Sequence, residues 1–110
     1  MSIPDTPAVL RPFSAAEAIS VPEAARITGK SSGTMRAWAS LYDLGRRVGG
    51  GCWMLSRVAL MMHLDGNRAA LSAYLKGDRS SAAVTAYYDA LSIPLPDRSA
   101  LALPVEARAA

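Results

Sequence analysis

The sequence predicts a mainly α fold: a winged helix-turn-helix with a short two-stranded β-hairpin wing, additional C-terminal helices and an extended proline-containing tail. Three observations predict it. Two serine-capped segments, residues 21–28 and 32–42, are joined through Gly29 by a turn of three to four residues, the spacing of a helix-turn-helix. The stretch "RRVGGGCWML", Arg46 to Leu55, then sets two short apolar runs around three glycines, which is hairpin patterning with a flexible tip. Helical periodicity resumes at Ser56 and ends near Leu91, ahead of Pro94 and Pro96.

The elements follow in order. Residues 1–19 carry Pro4, Pro7 and Pro12 with little periodicity and read as an extended arm, with Phe13 the first residue expected to pack. Two capping-box patterns follow, Ser14-Ala-Ala-Glu17 and Ser20-Val-Pro-Glu23; the second is the stronger, because Pro22 falls in a first helical turn, where a missing N–H is harmless. A helix is expected over 21–28, burying Ala24, Ala25 and Ile27 and ending at Gly29. Ser31 caps the next helix, on which Met35, Trp38, Ala39 and Tyr42 share one face. Ser56 caps a third helix ending at Asp65-Gly66, Asn67 a fourth ending at Gly77, and Ser80 or Ser81 a fifth, with Val84, Tyr87, Tyr88 and Leu91 on one face. Val58, Leu60, Met61, Leu64, Leu71, Tyr74 and Leu75 complete the expected core, and residues 20–91 form the expected domain.

From residue 92 the pattern changes. Ile93, Leu95, Leu101, Leu103 and Val105 alternate with prolines, which suits an extended or polyproline-II segment docking on a neighbouring subunit and equally a disordered tail. Ile93, Leu95, Leu101 and Leu103 are the candidate oligomerisation residues.

The chain of 110 residues has room for one small domain. Its single cysteine, Cys52, and single histidine, His63, give neither a disulfide framework nor ligand spacing for a metal, so no metal and no cofactor are expected. No apolar run reaches the roughly 18 residues of a membrane span, and the N-terminus lacks signal-peptide character; a cytoplasmic, nucleoid-associated protein is expected. Net charge is only +3, but between Arg26 and Arg57 six basic residues (Arg26, Lys30, Arg36, Arg46, Arg47 and Arg57) face one acid, Asp43. Such a concentration is the footprint of a phosphate-binding surface, and otherwise of a solvated face.

"ARITGKSSGT", Ala25 to Thr34, contains the Gly-Lys-Ser that ends a Walker phosphate loop. That loop needs a glycine five residues before Gly29 and a strand in front; residue 24 is alanine and the preceding segment is a capped helix. Nucleophilic catalysis would need a base beside Cys52 or a serine, and His63 lies among apolar neighbours, so no catalytic residue is assigned. An exposed helix N-terminus still favours anions, and DNA phosphates suit it.

Ser20 to Leu64 resembles the winged helix-turn-helix of the MerR superfamily and, more closely, its excisionase-like branch of recombination directionality factors. The resemblance rests on "VPEAARITG", the Ser31-Ser32-Gly33-Thr34-Met35-Arg36 entry to the second helix, Trp38, the glycine-rich hairpin and "SRVAL" after it. It implies a DNA-binding architectural protein that binds double-stranded DNA, self-associates on it and assists a tyrosine recombinase of a mobile element. Lys30, Ser31, Ser32, Gly33, Thr34 and Arg36 would then face phosphates and major-groove base edges, with Arg46 and Arg47 at the base of the wing and Gly50 at its tip. Two departures stand out: Gly66, Gly77, Pro94 and Pro96 break any long dimerisation helix, and Tyr42 replaces a common glycine. A small transcriptional regulator, and an assembly or packaging adaptor acting through the C-terminal region, are the alternative functions.

Overall fold

The computed structural model describes residues 7–95. Four helix starts follow one local rule. Ser20, Ser31, Ser56 and Asn67 stand in non-helical backbone, and their side-chain oxygens accept the amides of Glu23 (3.2 Å), Thr34 (3.0 Å), Ala59 (3.0 Å) and Ala70 (3.1 Å). Each satisfies an amide that the helix itself leaves without a partner, an effect worth about 1 kcal/mol. These caps open α1 (Val21–Thr28), α2 (Ser32–Leu41), α3 (Arg57–Leu64) and α4 (Arg68–Leu75). Before α5 (Ala82–Ala90) the device differs from the expected serine cap: the Ser81 side chain makes no cap bond, and the Asp78 carboxylate accepts the Ser80 and Ser81 amides, both at 2.9 Å. Those amides hold the Asp78 carboxyl below its ordinary range.

Three short strands complete the domain, giving a mainly α structure with a small antiparallel sheet. β1 (Ala18–Ser20) and β2 (Gly45–Arg47) flank β3 (Trp53–Ser56), in the order β1-β3-β2. Ile19 lies opposite Leu55 on one side, and Gly45 opposite Leu55 on the other. The expected two-stranded hairpin is therefore one part of a three-stranded sheet. β1 escapes sequence reading because three residues are too few to show a two-residue period. At the hairpin tip Gly49 and Gly50 have φ of 61° and 73°, and Gly51 N–H closes the turn on Val48 O at 3.0 Å. Positive φ at both central positions is the turn geometry that suits the twist of paired strands.

The N-terminal segment corrects two expectations. Val9 and Leu10 are core residues, 2% and 0% exposed, whereas Phe13 is 46% exposed. The packing is fixed by polar contacts that no local pattern signals: Leu10 N–H donates to the Tyr74 hydroxyl at 2.9 Å, and Arg46 donates to Val9 O (3.2 Å) and Leu10 O (2.7 Å). Arg79, almost wholly buried, adds bonds to Ala8 O (2.6 Å) and Tyr74 O (2.7 Å), its guanidinium lying 3.8 Å from the centre of the Tyr74 ring. Ser14-Ala-Ala-Glu17 forms a turn and opens no helix. The Glu17 amide does donate to Ser14 Oγ, at 3.3 Å, but the glutamate side chain turns into the core.

There, wholly buried, Glu17 accepts from Ser56 Oγ at 2.5 Å, from the Tyr88 hydroxyl at 2.8 Å and from the Tyr74 hydroxyl. A buried carboxylate is tolerable only when its lone pairs are satisfied, and three hydroxyl donors do this. The acceptor thus ties β1, the β3–α3 junction, α4 and α5 to one point.

Around this point the apolar core gathers Val21, Ala24, Met35, Ala39, Leu44, Leu55, Val58, Leu60, Met62, Ala70, Val84 and Ile93. Three expectations change. Met62 is buried while Met61 is only half-buried and Leu64 is 42% exposed; Tyr42 is 45% exposed; Ala25 and Ile27 are half-buried. α3 meets β3, α4 and α5, so its contact face spans Val58, Ala59, Leu60 and Met62. Gly45 has a steric reason: a methyl there would overlap the Met54 carbonyl and come within 2.9 Å of Leu55 Cα.

Candidate nucleic-acid interface

α1 and α2 are joined by a turn in which each residue has an assignment. Gly29 adopts φ 75° and donates to Ala25 O at 2.8 Å, a left-handed helix end that glycine adopts without strain. The Thr28 hydroxyl donates to Ala24 O (2.9 Å) and accepts the Lys30 amide (3.2 Å). Ser31 then caps α2, its hydroxyl donating to Thr34 Oγ1 at 3.0 Å while it accepts the Thr34 amide. Ser31 and Thr34 thus build the helix start, and the amides of Ser32 and Gly33 have no acceptor among the described residues.

α2 divides sharply by exposure. Met35 and Ala39 are buried and Trp38 half-buried; Gly33, Arg36, Ala37, Ser40 and Leu41 are exposed. The exposed set falls at i, i+3, i+4, i+7 and i+8, one continuous stripe. It contains one cation, no acid and otherwise small or apolar side chains. Ala37, Ser40 and Leu41 were not among the residues singled out from the sequence; the complement of the buried Met35/Ala39 face would have found them.

The basic residues sort by what they touch. Arg26 pairs with Glu23 within α1, which raises the arginine and lowers the glutamate. Arg57 is half-buried, with its Nε buried and unpartnered among the described residues. Arg46 and Arg47 are adjacent in β2 and so point to opposite faces of the sheet. Arg46 turns inward to the Val9 and Leu10 carbonyls, and burial, with the Arg11 charge, pulls its guanidinium below the ordinary value. Arg47 points outward. Lys30, Arg36 and Arg47 are exposed and form no ion pair among the described residues; Lys30 Nζ stands 5.7 Å from the Trp38 ring centre.

Arg36 meets the hairpin across a cleft. Ser20, Val21, Pro22, Arg36, Cys52 and Trp53 line a space of about 350 Å³. One wall is the start of α1, one is α2, and the third is the tip end of the hairpin, where Trp53 lies opposite Arg47 and Cys52 follows the Gly49–Gly51 turn.

Tyr42 closes the far end of α2. Its ring stacks on His63 (4.6 Å between centres, 27° between planes), and His63 meets the edge of Trp38 at 4.6 Å. Burial and the neighbouring Arg68 charge lower the His63 pKa. His63 therefore anchors α3 to α2, while Cys52 stands on the hairpin.

Of the four candidate oligomerisation residues, Ile93 is 6% exposed within the core of its own chain, held by its amide on Tyr88 O at 2.9 Å, and Leu95 is 44% exposed. Leu101 and Leu103 lie outside the described residues. Among the described residues no helix is long and apolar enough to cross a membrane, and no three His, Cys, Asp or Glu side chains gather as a metal site. The chain matches no protein-family model, and neither a curated protein nor a solved structure is found similar to it.

Proposed function

We propose that the protein is a winged helix-turn-helix that binds double-stranded DNA, with α2 in the major groove and the β2–β3 hairpin following the backbone beside it. The observation that carries this reading is the cleft shared by Arg36 of α2 and Cys52-Trp53 of the hairpin, with Lys30, Arg36 and Arg47 exposed and without an ion pair among the described residues. An α-helix fits the major groove, a glycine hairpin can approach a sugar-phosphate backbone closely, and the orphan amides at the start of α2 suit phosphate oxygens. The resemblance of Ser20–Leu64 to the excisionase-like branch supplies the setting: binding beside a recombination junction, self-association on the DNA, and bias of a tyrosine recombinase toward excision.

Binding is tested by fluorescence anisotropy with labelled duplex across a salt series. Affinity is expected to fall steeply with salt, through release of counterions from the contacted phosphates, and Arg36→Ala is expected to weaken it. A complex indifferent to salt, or an Arg36→Ala protein that binds as tightly, would remove the interface. The excision setting is tested by deleting the gene and measuring loss of the element from its attachment site; unchanged excision would overturn that setting and leave DNA binding standing.

A further inference from the structure

The exposed stripe of α2 is chemically unusual for a DNA-reading surface, since it carries a single guanidinium. Ala37 follows Arg36, Ser40 and Leu41 complete the stripe, and Leu41 is 70% exposed, the most exposed large apolar side chain among the described residues. Packing does not require it: the same turn buries Ala39, and the aromatic cover of this end of the helix comes from Tyr42, His63 and Trp38. No acid lies in α2 to repel phosphate.

We infer that Ala37 and Leu41 are specificity residues that recognise thymine C5-methyl groups in the major groove, with Arg36 on a guanine between or beside them. The inference rests on the DNA-binding reading above and deepens it. In the major groove a thymine presents a methyl group beside its O4 acceptor, and apolar side chains discriminate it by contact; an arginine fork matches guanine O6 and N7. Gly33 to Leu41 spans about 12 Å along the helix axis, the rise of roughly three base-pair steps, so one stripe covers a short tract. Gly33 and Ala37 have no bulk to hold the helix away from the groove floor. Leu41, one turn beyond Ala37 on the same stripe, reaches a different base pair. Ser40 is a hydroxyl that can pair with any base edge or with phosphate, so it adds affinity with little discrimination.

The test first selects bound duplexes from a random pool with the full-length protein and then replaces each thymine of the selected site, one at a time, by uracil. That change removes only the methyl group. Two positions are expected to lose affinity about fourfold each, the worth of one buried methyl-sized group. Leu41→Ser is expected to abolish the uracil effect at one of those positions and Ala37→Gly at another. Leu64→Ser, also exposed and apolar but on α3, is the control and is expected to leave the uracil profile unchanged. Both stripe positions are exposed, and helical circular dichroism matching the wild type is the check that each variant is folded before its uracil profile is read. A selected site indifferent to uracil at every thymine, or a uracil effect that persists in both stripe variants, would overturn the methyl readout while leaving DNA binding intact. Failure to recover any enriched duplex would overturn sequence-specific binding itself.

Discussion

The Ser56 hydroxyl joins two structures at once: it donates to Glu17 at 2.5 Å and accepts the Ala59 amide at 3.0 Å, so one oxygen both caps α3 and satisfies a buried carboxylate. A hydroxyl has one proton and two lone pairs, which allows this double use. Ser56→Ala is therefore expected to cost about 2–4 kcal/mol, the cap plus a hydrogen bond to a charged group, against about 1 kcal/mol for Ser20→Ala, which removes a cap alone. Urea unfolding of the two variants makes the comparison. Equal losses would show that the Glu17 contact contributes nothing.

The two tyrosines on Glu17 give the fold an alkaline limit. Burial, and then the Glu17 charge, push Tyr74 and Tyr88 well above the ordinary tyrosine range. A group whose pKa is raised in the folded state contributes stability that is complete below its unfolded value, about 10, and is lost as pH climbs beyond it. Stability is expected to be flat in this respect below about pH 10 and to fall above it. In a protein carrying Tyr42→Phe and Tyr87→Phe, which leaves only Tyr74 and Tyr88 to report, tyrosinate absorbance is expected to appear together with the loss of helical circular dichroism. Tyr88→Phe is expected to flatten the alkaline decline and to cost about 1.5–3 kcal/mol at neutral pH. Tyrosinate formation by Tyr74 and Tyr88 in a still-folded protein would contradict the arrangement.

Two glycines of the sheet region separate steric need from mere flexibility. Gly45→Ala drives a methyl into the β3 backbone at Met54 and Leu55 and is expected to destabilise by several kcal/mol, since backbone cannot yield as a side chain can. Gly51, whose added methyl would meet only Val48 O at 3.5 Å, is expected to accept alanine with a change of about 0.5 kcal/mol or less. Thermal unfolding of both variants decides the point.

Arg46 and Arg47 are neighbours with opposite assignments. Arg46→Ala removes bonds to the Val9 and Leu10 carbonyls and is expected to lower stability by about 1–3 kcal/mol while leaving the salt dependence of the proposed DNA binding unchanged. Arg47→Ala is expected to unfold at the wild-type urea concentration and to reduce the slope of log affinity against log salt by about 1. If the two effects were exchanged, the hairpin would face the other way.

His63 supplies an acid-side check. Burial and the Arg68 charge lower its pKa, so the unfolded chain binds the proton more readily. The stability linked to His63 is present above about pH 6.5, the unfolded value, and falls as pH drops through the window beneath it. His63→Phe, which keeps a ring against Tyr42, is expected to remove that part of the acid slope in urea titrations between pH 7 and 5. A slope unchanged by the substitution would place the titrating group elsewhere.

What the sequence determined by itself is local. Ser20, Ser31, Ser56 and Asn67 are caps because a short polar side chain before a helix can reach the free amides, and that chemistry needs no tertiary partner. The end of α1 at Gly29, the glycine tip of the hairpin and the alternation of buried and exposed positions on α2 are of the same kind. The three-dimensional structure alone decided what depends on residues far apart in the chain. Glu17 meets Tyr74 and Tyr88, 57 and 71 residues away, so the capping-box pattern at Ser14 concealed a core acceptor. β1 exists only because β3 offers it an unpaired edge. Arg46 and Arg47 look interchangeable as a dipeptide, and only the position of Val9 and Leu10 beneath one face of β2 turns one inward and leaves the other exposed. Local chemistry sets where helices start and stop; long-range packing sets which polar groups are enclosed, and therefore which remain to bind.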